Sequence, residues 1–214
     1  MSYAVKEIFL TLQGEGVHAG RRAVFMRFTG CNLWSGLEKD RASAVCQFCD
    51  TDFVGMDGAG GGRFKTAADL AKAAASVWGN DPELRFIVIT GGEPMLQIDE
   101  VLIQALHDAG FEIAIESNGT LPVPRSIDWI CISPKAGSTT VQRSGDELKL
   151  VWPQKGSDWQ DMAHWDFANH LVQPMDARGD DAASAANLES AIAFVQANPK
   201  WRLSLQTHKI LGLA

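Results

Sequence analysis

Three of the chain's four cysteines, Cys31, Cys46 and Cys49, are spaced C-x14-C-x2-C. Reduced thiols at that spacing are soft metal ligands: C-x2-C makes a tight half-site, and the long loop between residues 31 and 46 returns the third thiol to it. A structural zinc site closes with four ligands. No fourth cysteine or H-x3–5-H pair follows at finger spacing, and the nearest histidine, His18, precedes the cluster. On spacing alone, zinc and an iron–sulfur centre both stay open. Cys131 sits in the alternating segment "DWICIS" and reads as a small core residue.

A second set of polar residues falls where apolar runs end. "TGGEP" (90–94) follows "RFIVIT", and its adjacent glycines let backbone approach a ligand closely. "ESNGT" (116–120), "SPK" (133–135) and "QPMD" (173–176) end three later runs. Sites in α/β proteins are built at the carboxyl ends of strands, so a cysteine loop after "AVFMRF" faces the same rim. One open metal position beside a rim of ligand-binding turns points to a small molecule that completes the centre. The glycine-rich "GMDGAGGGRFKT" (55–66) is not a phosphate loop, because Arg63 and Phe64 separate the last glycine from Lys65. It reads as a flexible surface connection.

The elements that must position these residues alternate. Short runs rich in β-branched and aromatic residues at 22–28, 85–90, 111–116, 128–133, 147–152, 170–173 and 201–206 read as buried strands. Helical patterns at 66–79, 98–110 and 184–199 lie between several of them; the first opens on Thr66 with Asp69 three residues on, a capping arrangement. Strand, helix, parallel strand gives an α/β fold with a mostly parallel sheet. A closed eight-fold barrel takes about 250 residues. The 214 residues here suit an incomplete, TIM-like barrel or an open sheet, in a single domain, 1–214. The net charge of −7 argues against a nucleic-acid surface. No apolar stretch approaches the ~18 residues of a membrane span, and the N-terminus lacks a secretory pattern, so a cytoplasmic location is expected. Apolar residues around Trp152, Trp159 and Trp165 suggest a homodimer surface.

Cys31, Cys46 and Cys49 with "TGGEP" on a later strand resemble the radical S-adenosylmethionine superfamily, whose usual spacing is C-x3-C-x2-C; the longer gap marks a subgroup. "LQGEG" (12–16), "MRFTGCNLW" (26–34), "CDT" (49–51), "ESNGT", "SPK" and "QTHK" (206–209), in that order, are similar to the 7-carboxy-7-deazaguanine synthase family of 7-deazapurine (queuosine) biosynthesis. The resemblance implies a radical SAM core and a lyase reaction. One electron from a [4Fe-4S] cluster cleaves S-adenosylmethionine, and the 5′-deoxyadenosyl radical abstracts hydrogen from 6-carboxy-5,6,7,8-tetrahydropterin. Ring contraction with loss of ammonia then gives 7-carboxy-7-deazaguanine. A glycyl-radical activating enzyme shares the cysteines and the GGEP turn without needing a pterin site, and a non-catalytic zinc or iron–sulfur module needs neither turn.

Carried onto this chain, the resemblance makes Cys31, Cys46 and Cys49 the cluster ligands. Phe48, Asp50, Gly92 and Glu93 then lie near S-adenosylmethionine. Ser133, Pro134 and Lys135, with Gln173, Pro174, Met175 and Asp176, contact its adenosyl and ribose parts. Glu116, Ser117 and Asn118 are further contributors, although Ser117 and Asn118 equally suit a turn that caps a strand. Leu12, Gln13, Gly14 and Glu15 face the pterin edge, with Thr90 beside them. Arg27 offers a planar fork to its carboxylate. Thr51 corresponds to an oxygen ligand of Mg²⁺. A flavodoxin-type protein is the expected electron donor.

Overall fold

The computed structural model of the protein describes residues 2–213. Its strands are β1 (Tyr3–Leu12), β2 (Arg22–Phe28), β3 (Gly62–Phe64), β4 (Phe86–Gly91), β5 (Glu112–Ser117), β6 (Trp129–Ile132), β7 (Ser144–Trp152), β8 (Asp166–Pro174) and β9 (Trp201–Leu203). They form one sheet in the order β3-β1-β2-β4-β5-β6-β7-β8-β9. Neighbours from β2 to β9 run parallel, and β1 and β3 are antiparallel additions at one edge. The edges β3 and β9 do not meet, so the mostly parallel α/β sheet is open, as the chain length led us to expect.

Helices α1 (Ala67–Trp78), α2 (Glu100–Asp108) and α4 (Asp181–Ala197) each precede a strand of the parallel sheet; α3 (Trp159–Met162) and α5 (Thr207–Leu211) are short. The start of α1 is fixed by its sequence: Thr66 Oγ1 accepts from the Asp69 N–H at 3.1 Å and donates to the Asp69 carboxylate at 2.7 Å. Such a cap contributes about 1 kcal/mol. Leu70, Ala74, Leu102, Leu106 and the β-face residues Val24, Met26, Ile87, Ile89, Ile113 and Ile115 form the fully buried core. This is why the strands read as near-continuous apolar runs.

Several expectations are corrected. Residues 3–12 form the long strand β1, which the sequence reading left unassigned because Lys6, Glu7 and Thr11 break its apolar run. The glycine-rich segment 55–66 is no loose connection. It ends in β3 and lies along β1, with Gly58 N–H donating to Lys6 O at 3.0 Å. A Cβ at Gly61 would stand 2.1 Å from that same Lys6 oxygen, so the close approach of two backbones explains the glycine. Strand β9 stops at Leu203, and residues 204–206 turn toward the functional rim instead. Trp152 and Trp159 pack on Phe194 at ring separations of 4.5 and 5.0 Å and remain partly exposed.

Candidate functional site

The sheet register assembles the site. Glu7 pairs with Arg27, Arg27 with Thr90, Glu116 with Cys131, and Cys131 with Glu147. One step beyond the Ile89–Ile115 pair, Thr90 lies beside Glu116. Each of these six strands thus contributes one polar or titratable side chain to a single row across one face, while flanking residues on the other face enter the apolar core. Above this row, at the carboxyl ends of the parallel strands, opens a cavity of about 410 Å³.

Cys31, Cys46 and Cys49 all line this cavity. Cys31 lies three residues past the end of β2, and the Cys31 Sγ accepts from the Leu33 N–H at 3.4 Å. The insert is organised by Arg41, whose Nη1 donates to the carbonyls of Gln47 and Cys49 at 2.9 and 3.1 Å. The guanidinium also lies 4.1 Å over the Trp34 ring. Pairing between the Cys46 and Cys49 thiols holds Cys49 down at about 6 and, with burial, pushes Cys46 far above its ordinary value. Gly92 presses on this loop: a Cβ there would stand 2.2 Å from Gly30 O and 2.8 Å from Cys31 Cβ. A soft three-thiol donor set, cradled by a turn that admits only glycine, fits a cluster whose remaining metal position goes to a small molecule.

Most of the other residues expected at the site line the same cavity. Phe48, Asp50, Thr51, Gly92, Ser117, Asn118, Ser133, Lys135, Gln173, Pro174, Met175 and Asp176 do so, as do Leu12, Gln13, Gly14, Glu15, Arg27, Thr90 and Glu116. Glu93 and Pro134 are not among the lining residues. Glu93 is fully buried, and its carboxylate accepts from the Met95 and Asn118 N–H groups and the Ser117 hydroxyl at 2.9, 2.8 and 2.9 Å. Burial raises its pKa against those bonds. The side chain ties the GGEP turn to the ESNGT turn. Asn118 Nδ2 in turn donates to Asn32 Oδ1 at 3.0 Å, joining that turn to the cysteine loop.

The cavity is electrically polarised. Arg27 Nε donates to Glu7 Oε1 at 2.7 Å, and among the described residues no hydrogen bond reaches its two Nη atoms. Elsewhere in the cavity lie Glu15 and Glu116, joined by Lys149: its ammonium is 2.6 Å from Glu15 Oε2 and 3.3 Å from Glu116 Oε1. Burial pushes the Glu15 carboxyl up, but Lys149 and the donating amides outweigh it and hold the group at about 2. Gln206 Nε2 donates to Glu15 at 2.9 Å, and Lys209 bridges Asp50 and Asp176 at 2.6 and 2.5 Å. The C-terminal segment therefore closes over the cavity, with His208 also in its wall.

Glu7, Lys149, Gln206, His208 and Lys209 were not among the expected site residues. Lys149 carried a legible signal, a lone cation in the buried strand "ELKLVW"; Glu7 carried none, because its strand was not recognised.

The radical SAM superfamily model matches residues 41–144, starting within the insert and after Cys31. The chain is 57% identical to the 7-carboxy-7-deazaguanine synthase of Caulobacter vibrioides and 58% identical to that of Burkholderia multivorans, over the full length of all three. Its fold is similar to the crystal structure of QueE from Escherichia coli, with a TM-score of 0.67 and 26% identity over 97% of this chain and 95% of that one.

Proposed function

The chain belongs to the 7-carboxy-7-deazaguanine synthase family of radical S-adenosylmethionine enzymes, and from that premise we propose how its cavity carries out the family's reaction. The reaction converts 6-carboxy-5,6,7,8-tetrahydropterin to 7-carboxy-7-deazaguanine with loss of ammonia, a carbon–nitrogen lyase chemistry. The observation that carries the reading is the polarity of one cavity: an arginine whose two Nη atoms have no hydrogen bond among the described residues and a carboxylate pair share it with three thiols. The substrate has the matching polarity, with a carboxylate at one end and an aminopyrimidinone edge at the other.

Cys31, Cys46 and Cys49 would hold the [4Fe-4S] cluster. Bound there, the cluster with S-adenosylmethionine would supply one-electron radical chemistry for removing a substrate hydrogen. The chain's own residues do the rest. Phe48, Asp50 and Gly92 flank the cofactor beside the cluster; Ser133, Lys135, Gln173, Pro174, Met175 and Asp176 border its nucleoside, with Ser117 and Asn118 nearby. Glu93 and Pro134 act through the turns they hold. Arg27 fastens the substrate carboxylate, worth about 1.5–3 kcal/mol for a charge-assisted pair. Leu12, Gln13, Gly14, Glu15, Thr90 and Glu116 receive the pterin ring. Gln206, His208 and Lys209 exclude water from above.

Thr51 has no hydrogen bond to its hydroxyl among the described residues and lines the cavity beside Cys49, which suits one oxygen ligand of Mg²⁺, the rest coming from substrate and water. We further propose a flavodoxin-type reductant, a homodimer and a cytoplasmic location; no helix among the described residues is long and apolar enough to cross a membrane.

Anaerobic incubation of iron-reconstituted protein with S-adenosylmethionine, reductant, Mg²⁺ and the pterin, read by mass spectrometry, tests the reading. Product formation that Cys31→Ala abolishes supports it. Formation of 5′-deoxyadenosine without product sinks the substrate assignment.

A further inference from the structure

Lys149 stands in the middle of β7 with 3% of its surface exposed. A lysine buried alone sheds its proton. Here burial lowers its pKa, but Glu116 and Glu15 outweigh burial and the ammonium persists well above its ordinary range. Every element packed around it contributes: Glu15 from the turn after β1, Glu116 from β5, Cys131 from β6 and Glu147 from β7 itself. Neutral amides complete the shell. Gln13 Nε2 donates to Glu116 Oε1 at 2.9 Å, and Gln206 Nε2 donates to Glu15 Oε1 at 2.9 Å.

Two carboxyl groups share the one ammonium of Lys149. Glu116 Oε2 accepts nothing from the described residues, and Glu116 lines the cavity. The donors of this network all point inward to the carboxylates. What remains for a ligand is acceptor surface.

We propose that Lys149 is a specificity-determining positioning residue: its ammonium, 2.6 Å from Glu15 and 3.3 Å from Glu116, holds both carboxyl groups in place as acceptors, so that the cavity accepts only a ligand edge bearing adjacent N–H donors. This rests on the proposed function, in which that edge is the 2-amino-4-oxopyrimidine side of the pterin. An amino group and a ring N–H can donate side by side to a carboxylate. A protonated carboxyl would instead aim an O–H at those donors. Without Lys149 the two neighbouring carboxyl groups repel when both are charged, so the pair takes up a proton more readily as pH falls.

The test compares wild type, Lys149→Met and Lys149→Arg as reconstituted holoenzymes between pH 5.5 and 8.5. It measures KM and kcat for the tetrahydropterin and binding of the unreactive 6-carboxypterin. Wild type and Lys149→Arg should show affinity that is flat with pH. Lys149→Met should bind both pterins at least tenfold more weakly at pH 6 and recover as pH rises, with the larger change in KM. Independently of any variant, wild type should bind 6-carboxylumazine, which has a carbonyl in place of the 2-amino group, at least a hundredfold more weakly than 6-carboxypterin. A flat Lys149→Met profile at wild-type KM, or equal affinity for the two analogues, overturns the inference while product formation by wild type leaves the function standing. Failure of wild type both to bind 6-carboxypterin and to form product overturns the proposed function and this inference with it.

Discussion

Replacing Lys149 with methionine keeps the length and apolar volume of the side chain and removes only the ammonium. Its consequence for folding is calculable from the site. A carboxyl held at about 2, as Glu15 is, against about 4.3 in an unfolded chain, contributes about 3 kcal/mol at neutral pH. Because the folded value is depressed, that stability is fully present above the unfolded value and is lost as pH falls from about 5 toward 2. The Lys149 interaction is the same interaction and is not added again. Removing one partner of a buried pair costs about 3–5 kcal/mol, because the other charge is left behind. Lys149→Met should therefore lose about 3–5 kcal/mol at pH 7 in urea titrations of iron-free protein, where cluster loss does not obscure a two-state transition. The loss should narrow at pH 5, where a protonated carboxyl no longer needs its cation. Lys209→Met, which removes a half-exposed bridge to Asp50 and Asp176, should cost no more than about 1 kcal/mol. A Lys149→Met loss below 1 kcal/mol, or one that widens toward acid, would refute the reasoning.

Gly92→Ala forces a Cβ to within 2.2 Å of Gly30 O, so the cysteine loop must move; we expect about 1–3 kcal/mol of destabilisation together with reduced iron content after reconstitution, and unchanged iron would count against the cradle. Arg27→Lys keeps the charge but loses the planar fork, so KM for the pterin should rise about 10- to 100-fold with a smaller change in kcat; steady-state kinetics decide it. Tyr3 is the chain's only tyrosine, and burial together with its 2.8 Å hydrogen bond to Asp99 pushes its phenol up to about 12. Ultraviolet titration should thus show a tyrosinate midpoint near pH 12 in folded protein and near 10 in denaturant, where a raised folded value means that the phenol's contribution is intact below pH 10 and is lost above it. Thr66→Ala removes the cap of α1 and should cost about 1 kcal/mol by thermal unfolding, with no change in iron content.

The sequence by itself determined the local chemistry. The three thiols, the glycines of "TGGEP" and the turns that end β5, β6 and β8 were legible because each depends on residue types a few positions apart. The capped start of α1 and the alternation of strand and helix were legible for the same reason, since capping and burial period are local properties. Their ordered combination carried the family resemblance. What only the tertiary structure decided is which distant side chains meet. Arg27 finds Glu7 through an antiparallel strand that its charged residues concealed. Glu15 and Glu116 find Lys149 across 134 and 33 positions of sequence, and sheet order with register, not spacing, sets that meeting. Glu93 sits in a legible motif, yet its carboxylate turns inward to a neighbouring turn. A buried charge is stable only beside its partner, and partnership across a sheet is a property of the whole fold.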